Sequence, residues 1–332
     1  MAQTAASLHW LNERTSRHAV RLIDRLQAEP QGERAALIAA ILASPASVSP
    51  KYFYDAIGCT LFEAICCLPE YYPTRTERSI LTEHRAEIVR VAGTNRQFVD
   101  LGAGDCAKAS MLLPALQPRR YIAVDIAAPA IVPALSRLAL AFPRVELVGV
   151  VTDFSAELDL ADAIDAGPTT FFYPGSSIGN FDPVDALALL LRVRELCGEG
   201  SGLLIGVDTK KERSRLEAAY NDALGVTAAF NRNLLNHVNS IVDGDFDPSA
   251  FGHVAFYNEA QGRIEMHLEA LSAQSVQIDG HERAFDAGER IHTENSYKYE
   301  PEEFADLLRR AGFSQISLWQ DDARDFAVFH AK

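Results

Sequence analysis

Apolar positions in this chain follow two different periods. Between residues 97 and 208, short apolar runs alternate with stretches that space apolar residues three and four apart. The runs QFVDLG (97–102), RYIAVDI (120–126), VELVGVVTD (145–153), TTFFYPG (169–175) and GLLIGVD (202–208) are strand candidates. KASMLLPAL, APAIVPALSRLALAF and PVDALALLLRVRELC, lying between them, predict helices. Apolar strands separated by helices imply a parallel sheet covered on both faces. Upstream, HAVRLIDRLQ and GERAALIAAILA within 15–45 carry the helical spacing, and LFEAICCLPEYYPT predicts a short helix stopped at Pro69. Past Asp208 the alternation ceases. KERSRLEAAYNDALGVTAAFNRNLLNHVNSIV predicts a long helical stretch, DGDFDPSAFGH is rich in turn residues, and VAFYNEAQGRIEMHLEALSAQSVQI alternates like strands. The sheet pattern resumes with the helix PEEFADLLRRAG (301–312) and two closely spaced strands, SQISLWQD and DFAVFHAK.

Composition narrows the class of function. The net charge is −14, from 45 acidic and 31 basic residues. So acidic a surface repels phosphate backbones and anionic lipid, which argues against a nucleic-acid or membrane partner. Nine scattered histidines and five cysteines without paired spacing suggest no metal site. Adjacent Cys66 and Cys67 read as buried thiols in an apolar helix. The N-terminus lacks an apolar leader, so the cytoplasm is the expected compartment. With 332 residues, the chain can form one large domain or two interleaved ones around a buried ligand.

The segment FVDLGAGDCAK runs from a strand through a glycine turn into a helix. Gly102, Gly104 and Ala107 form G-x-G-x-x-A, which lets a nucleotide approach the backbone at a helix N-terminus. Asp125, ending the next strand, is placed to hold ribose hydroxyls. Dehydrogenases share both features. Asp153 and Phe154, ending the third strand, favour a methyltransferase, where such a pair contacts the adenine amine and ring. A terminal hairpin with an antiparallel last strand favours it too. The expected fold is therefore α/β, with a Rossmann-like S-adenosylmethionine (SAM) methyltransferase sheet and an inserted α+β substrate domain.

Outside that loop, KYFYDAIGCTLFEAICCLPEYYPTRTERSIL, FYPGSSIGNFDP, AAYNDALGVTAAFNRNLL, RIEMHLEA and TENSYKY resemble the histidine Nα-methyltransferases of bacterial ergothioneine biosynthesis. The resemblance runs from about residue 50 to the C-terminus. It implies three successive methyl transfers from SAM to the α-amino nitrogen of L-histidine, giving the betaine hercynine and S-adenosylhomocysteine. It also implies a methyltransferase core over 73–209 and 299–332, and a substrate-binding domain over 15–72 and 210–298. By the same resemblance, Tyr54 is the catalytic residue, orienting the amine first and relaying a proton second, and Tyr71 lines the amino-acid pocket. Asn180 and Tyr220 hold the α-carboxylate, Glu294 and Ser296 bind the imidazole, and Phe62 and Met266 form walls. Gly102, Gly104, Lys108, Asp125, Asp153 and Phe154 hold the cofactor. No obligate protein partner is implied, and a monomer is expected. Another amino acid or an indole is the alternative substrate. Glu294 with Ser296 argues against the indole, which has one donor and no acceptor.

Overall fold

The computed structural model describes residues 20–26, 30–155 and 157–332. The first half of the chain runs β1 (Arg21–Asp24), α1 (Pro30–Leu42), β2 (Ala46–Ser47), α2 (Ala56–Cys66), α3 (Tyr72–Glu83), α4 (Arg85–Ala92), β3 (Gln97–Leu101), α5 (Ala107–Leu116), β4 (Arg120–Asp125), α6 (Ala128–Ala141), β5 (Glu146–Val151) and β6 (Thr169–Tyr173). The second half runs α7 (Pro183–Leu196), β7 (Gly202–Asp208), α8 (Arg213–Ala218), α9 (Val226–Val242), β8 (Phe251–Asn258), β9 (Arg263–Ala270), β10 (Gln274–Ile278), β11 (His281–Phe285), β12 (Arg290–Tyr297), α10 (Pro301–Arg310), β13 (Ile316–Gln320) and β14 (Phe326–Ala331).

Eight strands form one sheet in the order β1-β5-β4-β3-β6-β7-β14-β13. The first six are parallel, while β14 runs antiparallel to both β7 and β13. The five expected apolar strands and the terminal hairpin are all present. They are apolar because helices cover both faces: Val99, Val148, Phe171 and Ile205 pack into one layer, and Phe98, Leu147, Phe172 and Leu204 into the other. The strand order reverses between β3 and β6, so the glycine turn that follows β3 opens there at the sheet's carboxyl edge.

HAVRLIDRLQ departs from expectation. Its residues 18, 19 and 27 lie outside the described residues, and Arg21–Asp24 form an edge strand parallel to β5, not a helix. Leu22 packs into one layer and Ile23 into the other, the period-two signature of a covered strand. These residues therefore join the large sheet, although they fall within the segment expected to bind substrate. The long helix expected after Asp208 is also broken, into α8 and α9. Asp222 accepts from the backbone N–H of Val226 at 2.9 Å and of Thr227 at 2.8 Å, starting α9 afresh. Of the two thiols expected to be buried, Cys66 is half-buried and Cys67 exposed.

A second sheet, β2-β12-β9-β8, packs with α1, α2, α8 and α9 around a separate core that includes Phe53, Phe230, Leu234, Ile264 and Leu268. β12 carries a bulge. His292 pairs with His267 and Glu294 with Met266, leaving Thr293 as the extra residue. Regular alternation from Ile291 would turn Thr293 and Asn295 inward and leave Glu294 outside. The bulge changes the phase, so that Ile291, Glu294 and Ser296 share the inner face.

Candidate active site

The glycine turn is shaped for a ligand at the N-terminus of α5. Gly102 and Gly104 adopt φ +69° and +51°, and a side chain added at Gly104 would meet nothing within 4 Å. The space beside that backbone is open. Asp125 braces the turn by accepting from the Gly104 N–H and the Ala127 N–H, each at 2.8 Å. Burial pushes its carboxyl above the ordinary value, partly offset by those backbone donors. Open glycine backbone, a helix N-terminus and a strand-end carboxylate fit a nucleoside with ribose hydroxyls.

The other expected cofactor residues are partly engaged. Asp153 pairs with Lys51 at 2.9 Å and accepts the Ser155 N–H at 3.0 Å. Burial opposes its ionisation, but the Ser155 hydroxyl and Lys51 hold it below the ordinary range. The Phe154 ring meets the Tyr173 ring edge-on, with centroids 5.7 Å apart. Lys108 pairs at 2.6 Å with Glu77, a carboxylate 1% exposed. Glu77 also accepts the Gly175 N–H at 2.9 Å. It thus ties the start of α5 to the FYPG turn that follows β6.

That turn leads into the second region. Tyr54, Phe62, Tyr71, Asn180, Tyr220, Met266, Glu294 and Ser296, eight residues scattered over 243 positions of sequence, line one cavity, together with Gly175, Phe230, Asp208 and Lys298. Each arrives by a local device. Asp55 caps α2 by accepting the Gly58 N–H at 2.6 Å, which starts the helix right after Tyr54 and carries Phe62 on its second turn. Tyr71 precedes the first turn of α3, where Pro73 sits. Asn180 ends a short 3-10 turn, Ser177–Asn180, packed on β12. Gly179 makes that contact possible, because a Cβ there would lie 2.7 Å from the Tyr297 carbonyl oxygen. The rings form a continuous wall, with Tyr54–Phe62 centroids at 5.9 Å, Phe62–Tyr71 at 6.3 Å and Tyr71–Tyr220 at 6.3 Å.

Glu294 is the chemically distinctive member. It is 8% exposed, and Lys298 is the charged group that acts on it. Among the described residues, nothing hydrogen-bonds its carboxylate. Burial pushes its pKa up to about 7, with Lys298 pulling the other way. Tyr54 is half-buried, and its phenol is raised well above 10 by desolvation and then by the charges of Glu294 and Asp125. A phenol so placed feels both the pocket carboxylate and Asp125, and it holds its proton. This geometry suits orientation by Tyr54 and disfavours a role as base.

Sequence reasoning missed the charged group behind the pocket. The Lys298 ammonium, 1% exposed, lies 2.8 Å from Asp208 Oδ2 and donates to Ser296 Oγ at 2.8 Å and to Tyr220 Oη at 3.1 Å. Tyr220 donates to Ser296 Oγ at 2.8 Å. Tyr72 donates to Asp208 at 2.8 Å, and Lys211 bonds both partners. Tyr220 and Ser296, expected at opposite ends of a bound amino acid, are therefore directly bonded. Lys298 stands two residues after Ser296 in TENSYK, and its period-two placement on the inner face was the available signal. Phe230, from AAFN in α9, also lines the cavity and was not among the expected residues.

The described residues contain no helix long and apolar enough to cross a membrane. A family model described as histidine-specific methyltransferase, SAM-dependent, matches residues 33–332. The histidine N-alpha-methyltransferase of Mycolicibacterium smegmatis is 41% identical over 296 residues, spanning 87% of this chain and 91% of that protein. The histidine N-alpha-methyltransferase of Mycobacterium tuberculosis is 38% identical, spanning 86% and 90%. Ergothioneine biosynthesis protein 1 of Neurospora crassa is 30% identical, spanning 83% of this chain and 32% of that longer protein. With a methyltransferase-type sheet, a glycine turn fit for a nucleoside, and this similarity along nearly all its length, the chain belongs to the SAM-dependent histidine-specific methyltransferase family.

Proposed function

We propose that the chain transfers methyl groups from SAM to the α-amino nitrogen of L-histidine, three in succession, yielding hercynine. The observation that carries this reading is Glu294, a buried carboxylate with no hydrogen-bond partner among the described residues, facing a cavity beside the Ser296 hydroxyl. Imidazole presents an N–H on one edge and a lone pair on the other, which matches a carboxylate and a hydroxyl. Unbranched apolar or aromatic side chains would leave the carboxylate desolvated and unpaired.

In this reading Gly102, Gly104 and Asp125 hold the ribose side of the cofactor, Asp153 and Phe154 the adenine side, and Lys108 the edge toward Gly175. When bound, SAM supplies a methyl group on a sulfonium, a leaving group that needs no acid. The chain's own residues therefore position and desolvate the nucleophile. Glu294 and Ser296 hold the imidazole against Met266 and Phe62. Asn180, whose amide has no partner among the described residues, takes the α-carboxylate. Tyr220 stands beside it with its proton committed to Ser296. Tyr54 and Tyr71, whose hydroxyls have no partners among the described residues, orient the amine. The amine must be neutral, and because its own carboxylate keeps the ammonium of a free amino acid less acidic than a peptide N-terminus, it loses its proton to solvent in only a small fraction of molecules at neutral pH. Residues 30–72 and 210–298 would form the substrate-binding unit, the large sheet the cofactor-binding unit.

Mass spectrometry of products from L-histidine and SAM tests the reading. The expected product carries three methyl groups on the α-nitrogen and a free imidazole. Fragments with a methylated ring would mean that the amino acid lies the other way round.

A further inference from the structure

The hydroxyl pair Tyr220–Ser296 sits on a buried ammonium whose hydrogens can be counted. Lys298 has three N–H bonds and three partners: Asp208 at 2.8 Å, Ser296 at 2.8 Å and Tyr220 at 3.1 Å. None is left for a bound amino acid, although Lys298 lines the cavity. Facing Asp208, the amine stays protonated: burial alone would lower its pKa, but the carboxylate and Tyr220 hold it above the ordinary value. Asp208 is itself fastened by Tyr72 and Lys211 and is fully buried. The whole group is therefore fixed in place before any substrate arrives.

The count continues at Ser296. Its oxygen accepts from Lys298 and from Tyr220, and the phenol, the more acidic hydroxyl, is the donor of that pair. A hydroxyl has two acceptor sites and one proton. Both acceptor sites are filled, so the proton has nowhere to go but into the cavity.

We infer that Lys298 is a positioning residue for specificity: with Tyr220 it makes Ser296 an obligate donor, so that the pocket selects a ring with a lone-pair nitrogen opposite the N–H that Glu294 accepts. This rests on the reading of Glu294 and Ser296 as the imidazole site. The pocket then recognises neutral imidazole in one orientation and rejects imidazolium, whose second N–H would face the Ser296 proton. Lys298 touches no substrate atom. It acts through the direction of one hydroxyl.

Three amino acids separate the contributions: histidine, pyrrolylalanine (ring N–H but no lone-pair nitrogen) and thiazolylalanine (lone-pair nitrogen but no N–H). The relative kcat/KM for these is measured in wild type, Ser296→Ala, Tyr220→Phe and Lys298→Met, with SAM titration and thermal melting as checks on folding. Wild type should prefer histidine over pyrrolylalanine by roughly 5- to 150-fold, the worth of leaving one buried donor unpaired. Ser296→Ala should abolish that preference. Tyr220→Phe and Lys298→Met each free an acceptor site on Ser296 and should reduce the preference at least threefold. In Tyr220→Phe the preference over thiazolylalanine, set by Glu294, should stay at its wild-type value. A merely structural role would lower kcat/KM for all three amino acids alike and leave both ratios unchanged. That result in both Tyr220→Phe and Lys298→Met, with Ser296→Ala collapsing the ratio, overturns the positioning role alone. An unchanged ratio in Ser296→Ala overturns the imidazole reading beneath it. If Lys298→Met does not fold, Tyr220→Phe decides, since it leaves the Lys298–Asp208 pair intact.

Discussion

Removing the Glu294 carboxylate should weaken catalysis on histidine and at the same time strengthen the empty fold. Burial moves this carboxyl from an ordinary 4.5 to about 7. Ionising it in the empty pocket therefore costs about 3 kcal/mol relative to water. The native state binds this proton more tightly than the unfolded chain does. Raising the pH through the window from about 4.5 to about 7 thus favours unfolding, and the penalty is complete above that window. Glu294→Gln abolishes the penalty. At about pH 8 the ligand-free variant should melt above wild type, and the gap should close as the pH falls toward 4.5. Activity moves the opposite way. An imidazole N–H donated to a buried carboxylate is worth about 1.5–3 kcal/mol, so kcat/KM for histidine should fall roughly 10- to 150-fold in Glu294→Ala. Discrimination against phenylalanine and tryptophan should relax in the same variant, while SAM affinity stays unchanged. The assays are competition among the three amino acids, SAM titration, and melting curves across pH. A variant that keeps its preference for histidine would refute the assignment. A melting gap with no pH dependence would refute the electrostatic account of the pocket.

Other parts of the site give separate expectations. Asp125→Ala should weaken SAM binding by about 1.5–3 kcal/mol by calorimetry, since the carboxylate braces the glycine turn and in the proposed reading would also hold the ribose; unchanged affinity in a folded variant removes Asp125 from the site. Tyr54→Phe should lower kcat/KM only about 3- to 15-fold, one neutral hydrogen bond, with no change in the shape of the pH profile; a loss beyond about a thousandfold would instead mark a proton-transfer role. Gly179→Ala forces a Cβ to within 2.7 Å of the Tyr297 carbonyl oxygen, so it should cost about 1–3 kcal/mol of stability and raise KM for histidine through Asn180. A variant with wild-type melting and KM would mean that the turn does not position Asn180.

The pattern that was legible in the sequence is the pattern set by neighbours along the chain. The five apolar strands, their helices and the closing hairpin follow from burial on two faces, and a residue's periodicity reports how it is buried. The glycine turn, with Asp125 one strand later, is likewise local: positive φ at Gly102 and Gly104 must be supplied by the residues at those positions. The pocket members Tyr54, Asn180, Tyr220 and Glu294 were reached through resemblance to a family, because nothing in their own spacing marks them.

Tertiary structure decided the rest. HAVRLIDRLQ carries helical spacing, yet Arg21–Asp24 pair with β5, because an open edge of the sheet offers backbone hydrogen bonds that no helix pattern can register. Alternation carried along β12 from Ile291 would place Glu294 outside, and only the extra residue Thr293, set against β9, turns it inward. The third case is Lys298. Its meaning lies in Asp208, 90 residues earlier at the end of β7, and in Tyr220 beyond it. Sequence determines which residues can be buried and with what period. Which buried charge meets which, and so which way a hydroxyl proton points, is settled when strands from distant parts of the chain close on one another, since a desolvated ammonium is tolerated only where its partners arrive together.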